Sequence, residues 1–298
     1  FEQKIGFDNI RHMLKEKCLS TLGQERVDEM IFSDKYAEIC QRLQEVDEFI
    51  RIIQEEDGFP DQYFFDVRPS LKRIRAEGMY LEEQELFDLR RSVETIRDIV
   101  RFLQRGNEEE EGEESPSPYP ALKALAGDII VFPQLISRIN NILDKYGKVR
   151  DNASSELLRI RRELASTTGS ISRSLNAILR NAQADGYVDK DVAPTMRDGR
   201  LVIPVAPGLK RKIKGIVHDE SATGKTVFIE PAEVVETNNR IRELEGEERR
   251  EIIRILMEFS ATVRPQVPAI LQSYEFLAEV DFIRAKAHFS IQIKAIKP

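Results

Sequence analysis

Leu157-Leu-Arg-Ile-Arg-Arg-Glu-Leu164-Ala-Ser-Thr-Thr-Gly-Ser-Ile171-Ser-Arg-Ser-Leu-Asn-Ala-Ile178 decides how the chain is read. Leu157, Leu164, Ile171 and Ile178 recur every seven residues, and Ile160 and Leu175 fill neighbouring positions on the same stripe. No proline falls between Lys148 and Ala184, so one helix of about 55 Å is expected at 1.5 Å per residue. A helix that long with a narrow apolar seam needs a partner beside it. Ala232–Phe259 supplies one, with Val234, Ile241, Leu244, Ile252, Ile255 and Phe259. Lys145–Ala184 carries net +5 and Pro231–Thr262 net −3, so their charges complement one another. Together they predict an antiparallel two-helix arm.

Between the two helices the period changes from 3.6 to 2. Thr195-Met-Arg-Asp198-Gly199-Arg-Leu-Val-Ile-Pro-Val205 reads as strand, Asp-Gly turn, strand. Ile213–His218 and Thr226–Ile229 add two more β-branched runs around a turn at Ser221–Gly224. The text before 145 is helical throughout. Phe7, Ile10, Met13 and Leu14 are helix-spaced behind a capping Asp8, and Leu22-Gly23 marks a stop. Ile39, Leu43, Val46, Phe49, Ile50 and Ile53 share a face, and Leu81–Leu103 forms a further long stripe. Pro265 and Pro268 mark a break before a last helix at Ala269–Ile296. The fold expected is therefore mainly α: a helical core from 1–144 and 263–298, the two long arm helices at 145–184 and 231–262, and a small antiparallel β sheet at 185–230 inserted at the tip of the arm.

Composition narrows function. Of 298 residues, 33% are charged and only 7% aromatic, with no Trp. No apolar run approaches the roughly 20 residues of a membrane span. The formal net charge is −7, but Glu108–Glu111, Glu113 and Glu114 carry most of it, so the rest of the chain is close to neutral. That acidic, Pro- and Ser-rich text at 106–120 reads as a disordered loop. Cys18 and Cys40 can build neither a disulfide framework nor a zinc cage, and read as half-buried reduced thiols on helices of a cytoplasmic protein. The chain opens at Phe1 and both ends look cut from running helical text, as in an excised fragment.

Asp219-Glu-Ser-Ala-Thr-Gly224-Lys225-Thr226 resembles a phosphate-binding loop only at its end. Asp219 stands where such a loop needs a glycine, and the segment runs into a strand rather than a helix, so a hairpin turn is expected. His12, His218 and His288 are scattered, and no Ser has a nucleophile-elbow setting. No catalytic, cofactor or metal site is expected in this chain. What remains is a basic cluster: Arg197, Arg200, Lys210, Arg211, Lys212 and Lys214 face only Asp198, and Lys225 lies on the next turn. Cations on loops of a β tip suit a phosphate backbone. No aromatic pair accompanies them in the sequence, which favours duplex or structured-RNA contact over single-strand stacking.

Three segments carry a resemblance. They are Gly199-Arg-Leu-Val-Ile-Pro-Val205, Gly215-Ile-Val-His-Asp-Glu-Ser-Ala-Thr-Gly-Lys-Thr-Val-Phe-Ile-Glu-Pro231, and Val234-Val-Glu-x-Asn238-Asn239-x-Ile-x-Glu-Leu244-x-x-Glu-Glu. They resemble the type-two branch of the bacterial MutS family. Ile5-Gly-Phe-Asp-x-Ile10, Phe65-Asp-Val-x-Pro69 and Ala278-Glu-Val-Asp-Phe-Ile-Arg-Ala-Lys-Ala287 extend the likeness over essentially the whole chain. The acidic loop and the Pro265/Pro268 break depart from the family pattern. So does Tyr63-Phe64-Phe65-Asp66, which lacks the Gly-x-Phe-x-Glu pattern of a mismatch-reading wedge.

The resemblance implies a core, a lever (145–184 and 231–262) and a β clamp inserted at its tip (185–230), belonging to a homodimer. It places an ABC-type ATPase with its ATP and Mg, and an Smr-type nuclease, outside these residues. It associates the branch with binding branched or duplex DNA in recombination suppression and repair, and with collided ribosomes. The competing expectations are an arm that grips ribosomal RNA, ribosomal protein or a partner subunit, and an independent nucleotide hydrolase.

Overall fold

A computed structural model describes residues 2–105 and 117–297. Most of the acidic run falls outside the described residues. Its end does not: Tyr119 is buried, its hydroxyl donates to Glu56 Oε1 at 2.9 Å, and Pro120 opens a helix. The protein is mostly helical with one four-stranded antiparallel sheet, and the chain divides into two compact units, Phe1–Val149 with Leu256–Pro298, and Arg150–Ile255.

The first unit contains α1 (Glu2–Ile5), α2 (Phe7–Lys15), α3 (Thr21–Asp28), α4 (Tyr36–Glu55), α5 (Arg68–Arg73), α6 (Glu83–Gln104), α7 (Pro120–Leu125) and α8 (Pro133–Ile142). In α6 the expected stripe is inside: Leu86, Leu89, Val93, Ile96, Val100 and Leu103 are all buried. Glu82 and Glu85 close its N-terminus as a capping box.

Four expectations for this unit are corrected. Asp8 does not cap α2; the cap position is Gly6, in a left-handed conformation. Leu22-Gly23 does not stop a helix but lies within α3. A Cβ on Gly23 would come within 2.5 Å of the Asp281 carboxylate. Asp281 is itself buried, accepting from the Leu19 and Ser20 amides at 2.8 and 3.0 Å and from the Ser20 hydroxyl. The α4 stripe is also rotated. Glu45, Glu48, Phe49 and Ile52 are buried, while Ile39 is exposed and Leu43, Val46, Ile50 and Ile53 are half-buried. The reason is polar: Glu48 accepts the Ala121 and Leu122 amides at 3.1 and 2.9 Å and so caps α7 from outside. Finally, Cys18 sits in the loop after α2, where burial pushes its thiol up to about 12, and Cys40 is exposed on α4.

The second unit begins with α9 (Ser155–Ala184), capped by Ser154 Oγ, which accepts the Leu157 amide at 2.9 Å. The helix is shorter than the sequence suggested, because residues 151–153 form a 3₁₀ turn ahead of the cap. Four strands follow: β1 (Thr195–Arg197), β2 (Arg200–Val205), β3 (Gly215–Glu220) and β4 (Val227–Pro231), in the order β1-β2-β4-β3. Asp198 and Gly199 both have positive φ, the tight turn that pairs Arg197 with Arg200. β4 is central and every residue in it is buried. In β3 the register with β4 shifts between Val217 and Asp219, leaving His218 as a bulge.

The long helix α10 (Val235–Val263) starts in this unit and ends in the first, where a 3₁₀ turn holding Pro265 leads into α11 (Val267–Ile293). Pro268 does not break α11 but occupies its first turn, where no amide partner is lost.

α9 and α10 run antiparallel. Ser154 donates to Glu251 Oε1 at 2.6 Å, Arg161 pairs with Glu248 at 2.7 Å, and Arg240 pairs with Glu163 at 2.7 Å. The charge complementarity is thus realised as cross-helix pairs. The sheet is packed against this pair. Ile171, Leu175, Leu179 and Ala182 of α9 share one core with Ile203, Val205, Val227 and Ile229 of the strands and with Val234 and Ile241.

Candidate nucleic-acid interface

The basic cluster has two fates. After β2, the turn Pro207-Gly208-Leu209 leads into a loop pinned from within by Leu209 and Ile213. The Lys212 amide donates to Leu209 O at 2.9 Å, and Lys214 O accepts from Ala232 at 2.9 Å. With the apolar side chains turned in, Lys210, Arg211, Lys212 and Lys214 are all exposed. Lys225 is exposed on the β3–β4 turn, which Ser221 closes by bonding Thr226. None of these five cations has a carboxylate partner among the described residues. The phosphate-loop look-alike is the hairpin turn that feeds β4.

Arg197 and Arg200 are placed otherwise. Arg197 lies over the Phe228 ring at 4.2 Å and comes within 3.8 Å of Asp219. Arg200 is half-buried and engaged within the protein. It donates to Glu230 Oε1 at 2.6 Å and to Asn239 Oδ1 at 2.7 Å. Glu230 is fully buried in the central strand and also meets His218 Nε2 at 2.5 Å and the Asn238 amide at 2.7 Å. Asn238 in turn exchanges hydrogen bonds with the Leu201 backbone, accepting from its amide and donating to its carbonyl, both at 3.1 Å. Burial pushes the Glu230 carboxyl up. The bonds from His218, Arg200 and Asn238 outweigh that push and hold it below the usual carboxylate range. Sequence reasoning missed this network. The available signal was a lone carboxylate inside an otherwise apolar central strand, which requires partners.

The cluster also has aromatic company that the sequence did not reveal. α9 ends at Ala184, Gly186 takes a left-handed conformation, and the Tyr187 amide returns to Ala182 O at 2.8 Å. Gln183 Nε2 holds the following loop by donating to Asp189 O at 2.9 Å and to Val192 O at 3.3 Å. The half-buried Tyr187 ring lies 5.4 Å from Lys212 Nζ. Tyr187, Val192, Leu209, Asp189 and Lys225 are among the residues around a cleft of about 210 Å³.

No protein-family model matches the chain. Curated relatives do, along nearly all of it. The chain is 35% identical over 294 residues to the Endonuclease MutS2 of Geobacillus sp. (strain WCH70), covering 99% of this chain and 36% of that protein. It is 33% identical over 294 residues to the Endonuclease MutS2 of Alkaliphilus oremlandii (strain OhILAs), with 99% and 36% covered. To that of Finegoldia magna it is 35% identical over 297 residues, with the same coverage. The relatives are MutS2 proteins. The resemblance read from the sequence is therefore borne out, as that of a MutS2-type segment: the chain spans little more than a third of the relatives' length. Among the described residues no helix is long and apolar enough to cross a membrane.

Proposed function

We propose that residues 150–255 are the nucleic-acid-embracing clamp and lever of a longer MutS2-type protein, and that they hold phosphate backbones through Lys210, Arg211, Lys212, Lys214 and Lys225. One observation carries the reading: these cations are exposed and lack carboxylate partners among the described residues, whereas several helix arginines nearby are paired. A cation without a carboxylate partner is available to neutralise a phosphate and displace the counterions condensed on the polyanion, and that release drives backbone binding. Contacts of this kind position the protein and read little sequence. In the relatives' longer architecture, two such clamps in a homodimer would raise one another's effective concentration, and an ATPase outside this chain would supply their closure.

The test replaces Lys210, Arg211 and Lys212 together with Gln and measures binding to a DNA junction, a plain duplex and ribosomes across salt. The log–log salt slope should flatten by up to about one unit per charge removed, nearly equally for different sequences. Unchanged affinity and slope on all three ligands would end the proposal. A collapse on ribosomes alone would move the ligand from DNA to the ribosome.

A further inference from the structure

We infer that the cleft beside Tyr187 receives one unpaired base of a branched or looped nucleic acid, while Lys212 and Lys225 hold the phosphates next to it. The inference rests on the clamp reading and goes beyond it, because a clamp made only of lysines would treat paired and unpaired strands alike. Its volume of about 210 Å³ lies below the roughly 300–1,000 Å³ of clefts that enclose a whole cofactor-sized ligand, which fits a single flat ring system. The Tyr187 ring supplies a π-face, and its hydroxyl has no hydrogen-bond partner among the described residues. Val192 and Leu209 add apolar wall, and Asp189 offers an acceptor for an exocyclic amine.

Charge completes the match. Lys212 reaches the ring with a flexible stem and Lys225 lines the same cleft, so a plane and two cations lie together as a base and its flanking phosphates do. A paired base keeps both faces in the stack and cannot use this surface. The site is also pre-set. Tyr187 is fixed by the left-handed Gly186 turn, and the loop behind it is held by Gln183. Little ordering then remains for binding to supply.

The experiment uses the whole 298-residue chain and two matched hairpin probes, made in both DNA and RNA. One probe is fully paired, and one carries a three-nucleotide bulge containing 2-aminopurine. The wild-type chain should quench the 2-aminopurine fluorescence and prefer the bulged probe by about tenfold, in the range of base–aromatic stacking. Tyr187→Leu keeps apolar volume but removes the π-face. It should abolish both the quenching and the preference while leaving affinity and salt slope on the paired probe unchanged. Tyr187→Phe should keep both. Lys225→Gln, on an exposed turn, is the second variant should Tyr187→Leu disturb folding, and it should weaken the bulged probe more than the paired one.

Equal binding of both probes by the wild-type chain, with a normal salt slope, overturns the inference and leaves the clamp reading standing. Retention of quenching by Tyr187→Leu overturns it as well. Failure of the wild-type chain to bind either probe removes both readings. The DNA and RNA arms show which nucleic acid supplies the base.

Discussion

Arg200 and the Lys210–Lys214 loop lie within fifteen residues of each other, carry the same sign, and do opposite things. Arg200 faces inward to a fully buried carboxylate and helps to fasten β2 and β4 to the start of α10. The loop cations face outward and have no carboxylate partner among the described residues. Position opposite an acid, rather than charge, makes the division. The Arg200 guanidinium presents a planar fork that serves Glu230 and Asn239 at once, whereas Arg211, with the same fork, has no acid opposite it among the described residues and is exposed beside the strongly hydrated ammonium groups of Lys210, Lys212 and Lys214. Counting positive charges in a segment therefore overstates its binding surface wherever an arginine lies opposite a buried acid.

The largest expected effect falls on the inward side. Glu230→Ala leaves Arg200 partly buried without its carboxylate and should destabilise the second unit by about 3 kcal/mol or more, read by denaturant unfolding and by faster amide exchange across β2 and β4. Replacing Arg200 and Glu230 together with Met and Leu should recover much of that loss. A Glu230→Ala protein as stable as wild type would show that Arg200 does not depend on its buried partner.

Next comes the helix pair that carries the sheet. Ile171→Ala, at a position only 1% exposed, should cost about 3 kcal/mol, and Leu164→Ala, half-buried, distinctly less. Amide exchange should accelerate in both 155–184 and 235–255. Acceleration in one helix alone would break the antiparallel pair.

The pH response is smaller and separates the two regions cleanly. The folded Glu230 carboxyl titrates below its unfolded value of about 4.3, so its contribution is fully present above that pH. It is lost as pH falls through the lower folded value. The amide of Leu201, bonded to Asn238, should report this loosening by NMR, and Glu230→Gln should remove that part of the acid dependence.

The smallest stability effect belongs to the loop. Replacing Lys210, Arg211 and Lys212 with Gln should shift unfolding by less than about 0.5 kcal/mol while flattening the salt dependence of binding. A large loss of stability would show that these side chains are structural after all.

Periodicity made much of this legible. The seven-residue spacing from Leu157 to Ile178 located α9, and Asp198-Gly199 set the β1–β2 register to the residue, because a two-residue turn with two positive φ values admits only one pairing. The α4 face was misread because a helix can bury carboxylates once a distant helix end needs capping, and nothing within α4 announces α7. Gly23 looked like a terminator although its role is to make room for Asp281, more than 250 residues away. In the candidate site the exposed lysines were legible from the loop-forming Pro207-Gly208. The position of Arg200 and the approach of Tyr187 to Lys212 were not, since both depend on how the sheet lies on α9 and α10.

The bulge at His218 has a consequence for self-assembly. β3 is an outer strand with Ile216 and Val217 nearly half exposed, the kind of border onto which a second chain could add a strand. Regular addition requires an unbroken row of amides and carbonyls, and the register shift interrupts that row immediately after Val217. The residue that breaks the row is also the one that reaches Glu230, so one histidine both anchors the interior and keeps the border from acting as a template for fibres. Deleting His218 should straighten β3 and make the chain more prone than wild type to associate through its sheet, read by light scattering of the two proteins on concentration.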